Sequence, residues 1–299
     1  MKWLRRAFWA LLAWRLFAPP YQPAFRPPQE HPWRLEGRTV FIGDQEFLVR
    51  EAGPADAAPV VLIHGLGGSS LGEWYRIGPK LAENRRVILV DHRSHGLSPL
   101  ATARYEVEDV ADEIAAILTR IGVGAADVVG YSMGGAIAQA LAVRHPGLVR
   151  RLVLIATFAA FPARRRRALV AGALVTRAWE RLTGLGTPEV RTEYLLRVGA
   201  VEYRHARWLW QETHRRHPEA GAQATLATVR FTSTDWVGRL DVPTLVVVPT
   251  RDMLVPAQWQ LEMASLIPGA KTVEIEGAHH EVVWTHPDEI LAELEAFLG

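Results

Sequence analysis

The runs Val60-Val61-Leu62-Ile63, Val87-Ile88-Leu89-Val90, Leu152-Val153-Leu154-Ile155 and Leu245-Val246-Val247-Val248 limit what this chain can fold into more than any other feature. None of them alternates with polar residues, as a strand with one wet face would. Each suits a strand covered on both sides, the situation in a parallel sheet. Val128-Val129 and Thr272-Val273-Glu274-Ile275 are two further strand candidates. Between Glu108 and Ile121 the apolar positions Val110, Ile114, Ile117, Leu118 and Ile121 have helical spacing, and helical stretches separate most of the strands. The pattern predicts an α/β fold with a doubly wound, mostly parallel sheet. It opens with an antiparallel hairpin, Val40-Phe41-Ile42 and Phe47-Leu48-Val49 around a Gly43-Asp44 turn.

One stretch breaks this rhythm. From about Phe158 to Trp236 no buried strand is visible, and alanine, arginine, leucine and tryptophan dominate. Several helices are expected there, inserted between the sixth and seventh strands. Such an insertion lies above the strand ends where ligands bind in these sheets. Residues 158–236 are therefore expected to form a lid over a core made of 33–157 and 237–299. Trp179, Trp208 and Trp210, with the leucines of this segment, are expected to meet an apolar part of a substrate. The run Arg164-Arg165-Arg166-Arg167 reads as a solvated helix face.

Residues 1–32 stand apart from the core. Lys2, Arg5 and Arg6 precede an apolar run from Ala7 to Trp14, and a proline-rich connector follows from Pro19 to Pro32. Ala7 to Trp14 is too short to cross a bilayer, which takes about 20 residues. Trp3, Trp9 and Trp14 beside basic residues suit a helix lying on a membrane surface through residues 1–18, and equally a helix packed on the protein itself. No small-x-small cleavage site follows, so a cytoplasmic protein is expected, with or without membrane contact. The net charge of +2 is too small to imply a nucleic-acid partner. The chain has no cysteine, which removes disulfides, thiolate chemistry and cysteine-based metal sites.

Chemistry concentrates at Gly130-Tyr131-Ser132-Met133-Gly134, a G-x-S-x-G between a strand-like segment and the helix-forming Gly135 to Val143. A serine at a sharp strand-to-helix turn has an exposed hydroxyl beside the positive end of a helix. Side chains at Gly130 or Gly134 would collide where the strand folds back against the helix. A serine hydroxyl needs a base, usually held by a carboxylate. Gly277-Ala278-His279-His280-Glu281 follows the last strand, and Asp252 lies three residues beyond Leu245-Pro249, with Asp235 and Asp241 as rivals. The order Ser132, Asp252, His280 is that of the α/β-hydrolase arrangement.

From about Thr39 to its C-terminus the sequence resembles the α/β-hydrolase fold superfamily. His64-Gly65-Leu66-Gly67-Gly68 is similar to that family's oxyanion loop, and Asp91-His92-Arg93-Ser94-His95-Gly96-Leu97-Ser98 to its D-x-R-G-x-G-x-S turn. The resemblance implies Ser132 as nucleophile, Asp252 and His280 as acid and base, and the backbone amides of Leu66 and Met133 as an oxyanion hole. It gives His64, Gly65, Gly130 and Gly134 structural roles, and the Leu66 and Met133 side chains a place in the acyl pocket. Pro287, seven residues past His280, matches the family's spacing and selects His280 over His279. Ser94 stands where the family has glycine, so a differently bent loop is expected. His64 has no grouped ligand partners, and neither a metal nor a cofactor is expected. A serine nucleophile implies carboxylic ester hydrolysis of a small molecule with an apolar part. Carbon–carbon bond hydrolysis, cofactor-free peroxidation and a non-catalytic binding protein of the same fold are the alternatives.

Overall fold

The computed structural model describes residues 6, 9, 31–101, 103–183, 187–214 and 218–299. The segment proposed for membrane contact therefore lies outside the described residues, apart from Arg6 and Trp9. Eight strands form one sheet: β1 (Gly37–Ile42), β2 (Gln45–Ala52), β3 (Pro59–Ile63), β4 (Arg86–Val90), β5 (Ala126–Tyr131), β6 (Val149–Ile155), β7 (Thr244–Pro249) and β8 (Lys271–Ile275). Their order is β1-β2-β4-β3-β5-β6-β7-β8. β1 and β2 pair antiparallel, as does β2 with β4, and every other pairing is parallel.

The apolar runs are uninterrupted because both faces of the sheet are covered. Successive side chains of a strand point to opposite faces. In β3, Val61 and Ile63 join one buried cluster and Val60 and Leu62 the other. The first cluster holds the apolar faces of α3 (Val107–Arg120) and α4 (Met133–Arg144). Short helices α1 (Ser70–Trp74) and α2 (Gly78–Leu81) contribute Trp74 and Leu81 to the second. Each fully buried leucine, isoleucine or valine here removes enough apolar surface to be worth about 1.5–3 kcal/mol.

β6 and β7 are separated by α5 (Ala163–Thr183), α6 (Thr187–Arg197), α7 (Ala206–His214) and α8 (Pro218–Arg230). α5 packs on α8 and α6 on α7. The base of the insertion is closed by an isolated antiparallel bridge between Ala160 and Thr232, and the Ser233 amide donates to the Ala159 carbonyl at 2.8 Å. After β7 come α9 (Ala257–Leu266), α10 (Val282–Thr285) and α11 (Pro287–Leu298), the last packing its Ile290, Leu294 and Leu298 into the second cluster. Among the described residues no helix is long and apolar enough to cross a membrane.

Candidate active site

Ser132 sits between β5 and α4 with φ 53° and ψ −120°, a conformation that residues other than glycine rarely adopt. Holding it costs on the order of 1–3 kcal/mol. The surroundings impose it: the Ser132 amide donates to the Ile155 carbonyl at 2.9 Å, and its own carbonyl accepts the Thr157 hydroxyl at 2.7 Å and the Gly135 amide at 2.9 Å. Two glycines make the turn possible. A Cβ on Gly130 would overlap the Gly134 carbonyl, and one on Gly134 would overlap the carbonyls of Ile63 and His64.

The loops after β7 and β8 bring two more side chains to this turn. His280 Nε2 lies 2.9 Å from Ser132 Oγ, and His280 Nδ1 lies 2.7 Å from Asp252 Oδ2. A carboxylate can only accept, so Nδ1 carries the proton and Nε2 is left to accept from the serine hydroxyl. Asp252 is itself fixed, since Oδ1 accepts the Leu254 and Val255 amides at 2.8 Å each and Oδ2 accepts Gln260 Nε2 at 3.3 Å. The two loops are tied by the Arg251 amide donating to the Ala278 carbonyl at 2.8 Å and the Gly277 amide to Thr250 Oγ1 at 2.8 Å. Below the imidazole, Tyr131 donates its hydroxyl to the His280 carbonyl at 2.8 Å. Burial holds the Tyr131 phenol well above its ordinary pKa, so it stays protonated as a donor. His279, Asp235 and Asp241 are exposed, so the structure joins Ser132 to His280 and Asp252 and leaves the rivals outside.

The loop after β3 borders the same turn. His64 is fully buried, its Nδ1 is 3.0 Å from the Gly65 carbonyl, and its ring stacks on His92 at 3.8 Å. A Cβ on Gly65 would come within 3.1 Å of the Ser132 Cβ, so the loop backbone packs directly against the serine side chain. In the next turn, Asp91 accepts from the Ser70 amide at 2.8 Å and Arg50 Nη1 at 3.2 Å. Burial opposes its ionisation, but Arg50, His64 and Ser70 outweigh burial and hold the carboxyl below its ordinary range. Ser94 takes φ 65°, with its amide donating to the Pro99 carbonyl at 2.7 Å. Serine here takes the left-handed conformation that glycine would take more cheaply.

His92 gives this region a pH dependence. Burial, and then the neighbouring His64, hold its pKa well below the ordinary 6.5. As pH falls through that value, the unfolded chain gains a proton that the folded ring refuses. The unfolded state then binds more protons, so stability falls with falling pH until the folded pKa is reached. Thermal unfolding at about pH 7.5 and about pH 5.5 checks this, since histidine is the side chain that titrates between them. The midpoint drops at the lower pH, and His92→Gln drops less.

Above Ser132 and His280 lies a cavity of about 430 Å³. Its wall is mainly apolar, with Leu66, Phe158, Phe161, Leu169, Val229 and Trp284, and four helices or loops of the insertion contribute to it. Two expectations fail here. Trp179, Trp208 and Trp210 are absent from the wall; Trp208 is instead buried on Tyr75, with ring centroids 5.6 Å apart. The Met133 side chain is fully buried in the core cluster under α4 rather than in the pocket, because the first helical residue after the turn points into the sheet. Arg191, Glu73, Tyr194 and Gln260 were not anticipated. Burial and the nearby carboxylates of Glu281 and Asp252 push the Tyr194 phenol up to about 12. Among the described residues no group of three or more histidine, aspartate or glutamate side chains could hold a metal ion.

Known proteins share this arrangement of chain. Over 251 residues the sequence is 30% identical to the pimeloyl-[acyl-carrier protein] methyl ester esterase of Aeromonas hydrophila, covering 80% of this chain and 95% of that one. It is 25% identical over 273 residues to the pyrrolizixenacetamide deacetylase of Xenorhabdus hominickii, covering 87% and 97%. In three dimensions a hydrolase from Pseudomonas aeruginosa PA01 superposes with a TM-score of 0.76 at 22% identity, covering 88% of this chain and 98% of that one, and at that identity the likeness is one of fold. The model of the alpha/beta hydrolase fold matches residues 58–287, which include the serine turn, both loops that reach it and the whole helical insertion. With that match over most of its length, the chain belongs to the α/β-hydrolase fold family, a family of hydrolases.

Proposed function

We propose that this protein is a serine hydrolase that cleaves carboxylic esters through an acyl-enzyme on Ser132. The observation that carries the reading is the hydrogen-bonded series Ser132 Oγ, His280 Nε2, His280 Nδ1 and Asp252 Oδ2, at 2.9 and 2.7 Å, in the floor of an apolar cavity. In this reading Ser132 Oγ attacks the ester carbonyl as its proton passes to His280 Nε2. The backbone amides of Leu66 and Met133 donate to the oxyanion of the tetrahedral intermediate. As the intermediate collapses, His280 returns the proton to the leaving alkoxide and an alcohol departs. Water then attacks the acyl-enzyme with His280 again as base, releasing the carboxylic acid and restoring Ser132. Asp252 holds the imidazole tautomer and stabilises its charge without taking the proton.

The apolar wall of the cavity favours an apolar acyl group, and α5, α6 and α8 act as a lid that keeps water from it. The methyl ester esterase relative supports an ester as the scissile group. No step calls for a metal or cofactor. A series of p-nitrophenyl esters from acetyl to dodecanoyl tests the proposal. Turnover with a preference for acyl chains longer than acetyl is expected. Absence of turnover across the series would sink it.

A further inference from the structure

Three successive peptide groups of the loop after β3 are each held by one side chain. The Gly65 amide donates to Glu73 Oε2 at 2.5 Å, the Gly65 carbonyl accepts from His64 Nδ1 at 3.0 Å, and the Leu66 carbonyl accepts from Arg191 Nη1 at 3.0 Å. The peptide between Gly65 and Leu66 carries the Leu66 N–H, so that donor is clamped on both sides. Arg191 Nη2 also reaches Glu73 Oε1 at 3.4 Å, so one guanidinium holds the loop twice, directly and through a carboxylate. Glu73 is 1% exposed and fills space that glycine leaves: a Cβ on Gly68 would overlap its carboxylate. His64 and Glu73 belong to the core. Arg191 comes from α6, in the insertion.

We propose that Arg191 is a positioning residue through which the helical insertion sets the Leu66 N–H for the oxyanion. The inference rests on the serine-hydrolase reading given above. Its physical basis is the cost of a buried carboxylate without a cation. Without Arg191, Glu73 keeps one backbone donor, and the carboxylate is free to turn. Gly65 and the following peptide then lose their fixed direction. An oxyanion donor acts most strongly in the transition state, so its misalignment lowers kcat, whereas Phe158, Phe161, Leu169 and Val229 stay in place around the acyl group although Arg191 itself borders the cavity. The donor is aligned only while α6 sits over the cavity, which ties the position of the insertion to the chemistry beneath it.

Steady-state kinetics of the full chain on one p-nitrophenyl ester test this, with Arg191→Met, Arg191→Gln and Arg191→Lys compared at matched thermal midpoints. Losing an oxyanion donor outright costs about 10²–10³ in rate, and a misdirected one is expected to cost about 10- to 100-fold in kcat. KM is expected to stay within about twofold, as for an interaction made only in the transition state. Arg191→Lys, which keeps a cation beside Glu73, is expected to recover part of the loss, and fluorophosphonate labelling of Ser132 to slow in parallel. If either neutral variant folds and keeps its kcat, or loses only KM, Arg191 does not position the donor, and the serine-hydrolase reading stands. If neither neutral variant folds, Arg191→Lys decides: one ammonium cannot hold the Leu66 carbonyl and Glu73 together, so a residual loss in kcat is expected, and a loss in KM alone overturns the proposal. If Ser132→Ala retains activity, the reading beneath the proposal fails instead.

Discussion

Replacing Ser132 by alanine removes ester hydrolysis almost entirely, with kcat expected to fall by about 10⁶-fold. The serine contributes the attacking oxygen, and no neighbouring group in the cavity can take its place at 2.9 Å from His280 Nε2 with the same approach. His280→Ala is expected to cost about as much, because a hydroxyl without a base stays protonated at neutral pH. The double variant is expected to be little worse than either single one, since the members of such a unit act together and their effects do not add. Alanine keeps the main-chain contacts of the Ser132 amide and carbonyl, so circular dichroism and thermal midpoint should match wild type. A double variant that loses activity by the product of the two single effects would mean that Ser132 and His280 act independently.

Asp252→Asn is the second large effect, about 10⁴-fold in kcat. The size follows from the hydrogen bonds already in place. Two backbone amides, Leu254 and Val255, donate to Asp252 Oδ1 at 2.8 Å. In the asparagine variant that position must be the amide oxygen, which forces the NH₂ group toward His280 Nδ1. Nδ1 then has to accept, the proton moves to Nε2, and the imidazole can no longer accept from Ser132. The variant thus has the right shape and the wrong tautomer. A pH–rate profile checks it: activity stays low across neutral pH, while the thermal midpoint changes little. Near-wild-type kcat in Asp252→Asn would mean that the carboxylate does not set the tautomer.

How much of this was legible in the sequence depended on whether a feature was local. The strands of the sheet were visible because β3, β4, β6 and β7 are covered on both faces, which leaves a continuous apolar run rather than an alternation. The serine turn was visible because its constraint is written in neighbouring residues, two glycines whose missing side chains make room for the backbone of α4 and β3. His280 could be chosen over His279 from its spacing to Pro287, and the structure gives the physical reason: His280 is buried against Tyr131 and its neighbour is exposed. Arg191 and Glu73 were not legible. They lie 118 residues apart, in two helices whose juxtaposition depends on how the insertion docks, and no periodicity encodes that. The tryptophans misled for the same reason. An aromatic residue in a helix buries its ring wherever tertiary packing allows, and Trp208 found Tyr75 rather than the cavity. Met133 illustrates a subtler limit: its position fixes its amide beside the serine, but its side chain follows the sheet packing of α4.

The central claim is that Ser132 forms a covalent bond with its substrate. Intact-protein mass spectrometry after treatment with a fluorophosphonate measures it directly. A single adduct is expected on the wild-type chain, mapped by peptide fragmentation to Gly130-Tyr131-Ser132-Met133-Gly134, and none on Ser132→Ala. An adduct of equal yield on Ser132→Ala, or one mapped to another residue of the wild-type chain, would contradict it.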